Sequence, residues 1–181
     1  MRLNEPVTQK EAEFREGSVL VSMTDTGGKI VEANDAFVEI SGFTKEELIG
    51  QPHNIIRHPD MPQQAFRDLW TDIKSGRPWT GYVKNRSKNG DHYWVLASVT
   101  PVFDANGAIR GYMSVRSKPA RDMVAAVGNI YKQFKEGRAG GQAILHGRVV
   151  ADTFMARVRR RASTVKNRVA AMAVMLCILI A

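Results

Sequence analysis

Residues 79–116 read WTGYVKNRSKNGDHYWVLASVTPVFDANGAIRGYMSVR. Three runs rich in β-branched and aromatic residues, Trp79 to Arg86, His92 to Val102 and Ala108 to Arg116, are separated by Lys88-Asn89-Gly90-Asp91 and Asp104-Ala105-Asn106-Gly107. Asn-Gly pairs tolerate the positive φ angles of tight hairpin turns, so the stretch predicts three consecutive antiparallel strands. On the first strand the pleat puts Trp79, Gly81, Val83 and Asn85 on one side and Tyr82, Lys84 and Arg86 on the other. The first set reads as buried, with Asn85 as its polar exception.

Upstream, Val19, Leu20, Val21 and Met23 form a strand that turns at Asp25-Thr26-Gly27-Gly28 into a second one, Lys29 to Ala33. Gly27-Gly28-Lys29 lacks the spacing and the Ser/Thr of a phosphate loop, so it reads as a hairpin turn. Asn34 is placed to cap a short helix through Phe37 and Ile40, and Thr44-Lys45-Glu46-Glu47 has the form of a capping box ahead of Leu48 and Ile49. Gln51 to Pro62 is irregular, with three prolines and two histidines. Ala65, Phe66, Leu69, Trp70 and Ile73 then recur at helical spacing, with Pro62 suited to the first turn and Gly76 to the stop. The order predicts an α+β domain: one five-stranded antiparallel sheet with short helices covering one face. Past Pro119, Met123, Val127, Ile130 and Phe134 form a helical seam of a kind that pairs with another helix, ended by Gly137, Gly140 and Gly141.

The 181 residues are 44% hydrophobic and 24% charged, which excludes a disordered chain. Residues 1–120 hold 15 Lys+Arg and 15 Asp+Glu, whereas residues 121–168 hold 11 and 3, so the whole net charge of +8 lies in the second part. A nucleic-acid-binding front domain, which needs a cationic surface, is thereby disfavoured. The single cysteine, Cys177, excludes an intrachain disulfide and a Cys-rich metal site. Met1 to Gly17 is polar and has no signal-peptide core, so the front domain is expected in the cytoplasm. Val169 to Ala181 reads VAAMAVMLCILIA, the start of a membrane-spanning helix by its apolarity or, alternatively, a buried core helix. Arg157, Arg159, Arg160, Arg161, Lys166 and Arg168 precede it, as cationic clusters do on the cytoplasmic side of a membrane. The expected organisation is an N-terminal cap over 1–17, a domain over 18–118, a helical linker and basic juxtamembrane segment over 119–168, and a truncated transmembrane helix over 169–181.

Asn85 carries both a donor and an acceptor, which suits a planar heterocycle presenting the complementary pair; the alternative is an amide satisfied by neighbouring backbone. Arg57, His58 and Asp60 lie in a loop, where binding groups concentrate. Arg57 suits a phosphate and His58 a hydrogen bond, while Asp60 reads better as an acid at the N-terminus of the next helix. His53 and His58 lack the spacing of a zinc-protease helix, and no nucleophile elbow is present, so a metal site and an enzyme are not expected.

Gly50-Gln51-Pro52-His53-Asn54-Ile55-Ile56-Arg57-His58-Pro59-Asp60-Met61-Pro62, with Pro78-Trp79-Thr80-Gly81 and Lys84 to Val95, resembles a PAS domain, and more narrowly the flavin-binding PAS module of bacterial aerotaxis receptors. The resemblance covers about residues 18–118. It implies noncovalently bound FAD as a redox probe, a membrane-anchored homodimer, and downstream receptor domains that couple to a chemotaxis histidine kinase and its coupling protein. By the same resemblance Arg57, His58, Trp79 and Asn85 are cofactor-binding, with Asp60, Asn34, His53 and Tyr93 as weaker carry-overs. Aligned on the Asn-Gly turn, light-sensing flavin PAS relatives have their flavin-contacting Asn at Asn85, a second Asn at Val95 and their photoreactive Cys at His53, so blue-light adduct chemistry is not expected. Alternatives on the same fold are a haem-binding gas sensor with His53 or His58 as axial ligand, and a cofactor-free dimerisation module.

Overall fold

The computed structural model of the chain describes residues 4–158. β1 (Leu20–Thr24) and β2 (Ile30–Ala33) form the first hairpin, followed by α1 (Asp35–Ser41), α2 (Lys45–Leu48), a 3-10 turn at His53–Ile56 and α3 (Gln63–Lys74). β3 (Trp79–Arg86), β4 (His92–Phe103) and β5 (Ile109–Ser117) complete an antiparallel sheet in the order β2-β1-β5-β4-β3. The chain thus makes β1 pair with β5, with Ser22 opposite Ser114.

Local signals produce the caps. Asn34 Oδ1 accepts from Phe37 N–H at 3.0 Å, starting α1. Thr44 and Glu47 complete a reciprocal box at α2, satisfying two amides that a helix start leaves open. On β3, Trp79, Gly81, Val83 and Asn85 all point into the core, as the alternation requires.

The opposite sheet face is covered as well, which the alternation on β3 does not reveal. Lys84 and Arg86 are buried there. Arg86 donates to the Pro6 and Glu5 carbonyl oxygens at 2.6 and 2.8 Å, and the segment around Glu11 runs beside His92, so residues 4–14 cap this side of the sheet. α4 (Arg121–Lys135) covers the rest, with the Tyr131 hydroxyl donating to the Tyr82 carbonyl oxygen at 2.9 Å and its ring stacked on Trp94. The buried stripe is Val127, Tyr131 and Phe134, with Val124 half-buried. Of the expected seam, Val127 and Phe134 are buried, Ile130 is half-buried and Met123 is exposed; the stripe is centred on Tyr131 because it packs on this chain's own sheet.

Within the segment 119–168, expected to be a helical linker and basic juxtamembrane stretch, α4 is helical but the part that follows it is not. Gln142–Leu145 and Arg148–Ala151 form a two-stranded hairpin, β6 and β7, whose His146-Gly147 turn has positive φ at both residues. The basic residues from 159 onward and the apolar run 169–181 lie outside the described residues. Among the described residues no helix is long and apolar enough to cross a membrane.

Candidate ligand-binding cavity

Between α3 and the inner sheet face lies a narrow cavity of about 160 Å³, smaller than the roughly 300–1,000 Å³ of sites that enclose a drug-sized ligand. Phe66, Leu69, Trp70 and Ile73 on one side of α3 form one wall. Alternate residues of β3, β4 and β5 form the second, because the pleat turns every other side chain inward. The Gly28 turn and the 52–57 segment close the third side. Gly28 has φ +82°, and a Cβ there would sit 2.9 Å from the Trp70 ring, so this turn accepts only glycine.

Five buried polar atoms of lining residues have no partner: Asn54 Oδ1, Arg57 Nε, Asn85 Nδ2, Ser114 Oγ and Arg116 Nη1. An unpartnered buried group costs about 1–3 kcal/mol, so their convergence marks a surface built for a polar ligand rather than for the protein's own packing. Arg57 lies over the Phe66 ring at 3.5 Å, and burial lowers its pKa. Its backbone bridges that of Asn85, joining the 52–57 segment to the sheet wall.

Arg116 is buried and, among the described residues, forms no ion pair. Burial pulls its guanidinium down to about 10. Nη2 donates to His53 Nε2 at 2.7 Å and to Ser22 Oγ at 3.1 Å, and the group lies 5.0 Å from the Phe37 ring. Burial, then the Arg116 charge, pushes His53 down to about 3, so its imidazole is neutral. The network assigns Nε2 as acceptor and the proton to Nδ1. A cation held by two neutral partners leaves unbalanced positive charge at the cavity wall.

Of the eight residues singled out from the sequence, Arg57, Asn85 and His53 line this cavity. The other five lie outside its lining. Arg57 is extended (φ −71°, ψ 129°), so the adjacent His58 points the other way. There its Nδ1 accepts from Asp60 N–H, and its ring meets His92 edge-on. Burial and then the Lys84 charge lower His58 to about 4. Asp60 pairs with Lys84 at 2.8 Å on the α4 side. Trp79 is buried with Nε1 donating to Asp68 Oδ2 at 2.7 Å. Asn34 spends its side chain on Phe37 N–H, Val21 N–H and the Val19 carbonyl oxygen. Tyr93 is buried opposite Asn85, edge-on to Phe14, with its hydroxyl unpartnered. Asn54, Ser114 and Arg116 escaped the sequence reading. Arg116 was visible only as a charged member of the alternating set Tyr112, Ser114, Arg116, whose inward direction depends on the sheet.

Residues 30–116 match the family described as PAS fold. The aerotaxis receptor of Escherichia coli (strain K12) is 50% identical over 132 residues, 73% of this chain and 26% of that protein. The nitrogen fixation regulatory protein of Klebsiella oxytoca is 27% identical over 101 residues, 56% of this chain and 20% of that protein. Among solved structures, the dark structure of the blue-light photoreceptor Aureochrome1 LOV superposes with TM-score 0.56 at 23% identity, covering 61% of this chain and 82% of that one. This chain therefore spans about a quarter or less of the two curated relatives. With its five-stranded sheet, its short helices and the matched residues 30–116, the chain carries a domain of the PAS family.

Proposed function

We propose that this chain is the sensory part of a membrane-anchored aerotaxis-type receptor, using noncovalently held FAD as a redox probe. The observation that carries it is the convergence of five unpartnered buried polar atoms in one aromatic-walled cavity. Those atoms fit a flavin: Trp70, Tyr112 and Phe66 offer flat apolar surface, Asn85, Arg57 and Arg116 offer donors for ring carbonyl and nitrogen acceptors, and Asn54 Oδ1 offers an acceptor for a ring N–H. The residues resemble those of the aerotaxis receptor over 132 positions.

Bound flavin supplies a reversible electron couple in which a ring nitrogen that accepts a hydrogen bond becomes a donor on reduction. Asn85, with Oδ1 and Nδ2 on one planar amide, serves either state by turning over. Failing to remake that bond costs about 1–3 kcal/mol, enough to shift a two-state packing equilibrium roughly five- to a hundredfold. The output runs through a homodimer, an inner-membrane anchor and downstream domains that engage a histidine kinase and coupling protein, with the PAS domain cytoplasmic.

A haem reading finds less support, since His53 Nε2 is held by Arg116 and Ser22, and His58 lies outside the lining. A cofactor-free module would leave the five cavity atoms without purpose. The test is an absorption spectrum of the purified protein before and after dithionite. Flavin bands that bleach support the proposal; a Soret band, or colourless protein made with ample riboflavin, defeats it.

A further inference from the structure

The β6–β7 turn touches the outside of two cavity walls at once. Asp68 and Asp72 stand one turn apart on α3, whose Phe66, Leu69, Trp70 and Ile73 face the cavity. Asp68 Oδ1 accepts from the His146 N–H at 2.9 Å, and Oδ2 accepts from the Gly147 N–H at 2.7 Å. The same Oδ2 accepts from Trp79 Nε1 at 2.7 Å, and Trp79 opens β3, the strand that carries Val83 and Asn85 into the cavity. Asp72, fully buried, pairs with Arg77 at 2.9 Å and with His146 Nδ1 at 2.8 Å. Gly147 lies so close to Thr80 that a Cβ would run into the Thr80 carbonyl oxygen.

One carboxylate thus joins α3, β3 and a hairpin that sequence alone gives no reason to expect. A two-stranded hairpin is at best marginally stable by itself, so its protection depends on this docking. α3 and β3 form opposite walls, so any ligand-dependent change in their spacing alters the geometry at Asp68, where both are tied to the turn.

We propose that the His146-Gly147 turn is a clasp that reads the separation of α3 and β3 through Asp68 and passes the state of the cavity to the chain beyond Ala151. The coupling to redox state rests on the flavin reading; the docking does not. Hydrogen–deuterium exchange on the purified full-length protein tests both. In Gly147→Ala and in Asp68→Ala, amides of residues 142–151 are expected to exchange at least tenfold faster, while those of β4 keep their protection. In the unaltered protein, protection of residues 142–151 is expected to change at least threefold between the air-oxidised and dithionite-reduced forms. Hairpin exchange within twofold of the unaltered protein in both variants overturns the docking, and identical exchange in the two redox forms overturns the coupling. Should Gly147→Ala lose β4 protection, Asp68→Ala decides. A colourless preparation defeats the flavin reading alone, and the variants still decide the docking.

Discussion

Replacing Arg116 by methionine should stabilise the flavin-free protein while removing its ligand. The guanidinium is buried without a carboxylate, and burial lowers its pKa from the ordinary arginine value to about 10. That difference corresponds to roughly 3 kcal/mol spent on keeping the cation in the fold at neutral pH. Methionine fills similar space without charge. It forfeits the donations to His53 Nε2 and Ser22 Oγ, worth about 1 kcal/mol each, although Ser22 Oγ, 3.1 Å away, can still donate to His53 Nε2. The expected balance is a gain of about 1 kcal/mol, read as a urea midpoint raised by roughly 0.5 M at an m-value of about 2 kcal/mol/M. Flavin content of the same preparation should fall at least tenfold, since the wall loses its uncompensated positive charge. A flavin-free Arg116→Met protein less stable than its parent by more than about 1 kcal/mol would refute the reasoning, showing that the guanidinium serves to brace His53 and Ser22.

Acid should unfold the protein through its histidines. The folded pKa values of His53 and His58, about 3 and about 4, lie below the ordinary 6.5, so the unfolded chain binds more protons between those limits. Their contribution is fully present above pH 6.5 and is lost as pH falls toward 4 and 3, at up to about 1.4 kcal/mol per pH unit for each; urea midpoints measured from pH 7 to 4 check the slope. Gly81→Ala sets a Cβ 2.5 Å from the Trp79 ring and should cost about 1–3 kcal/mol, with altered tryptophan fluorescence as the indole leaves Asp68. Thr44→Ala opens the capping box of α2 and should cost about 1 kcal/mol in thermal unfolding with the absorption spectrum unchanged.

Much of this fold is written locally. Two Asn-Gly turns, the cap at Asn34 and the box at Thr44 each act within a few residues, and the alternation on β3 sets Val83 and Asn85 inward whatever lies beyond. Short-range sterics and hydrogen bonds suffice for such features, so the order of elements and one wall of the cavity are legible in the sequence. The hairpin after α4 is not, because its turn is His-Gly and the positive φ of His146 is held by contacts from Asp68 and Asp72, more than 70 residues away.

Tertiary structure alone decided where the charges go. Neighbours in sequence, Arg57 and His58, part to opposite sides of an extended segment. Arg116 becomes a cavity residue only when β5 inserts between β1 and β4, bringing it to Ser22 and His53. Sequence spacing determines which faces of a strand or helix are apolar; pairing across long loops determines what those faces meet, because burial, and with it the state of each ionisable group, depends on distant chain.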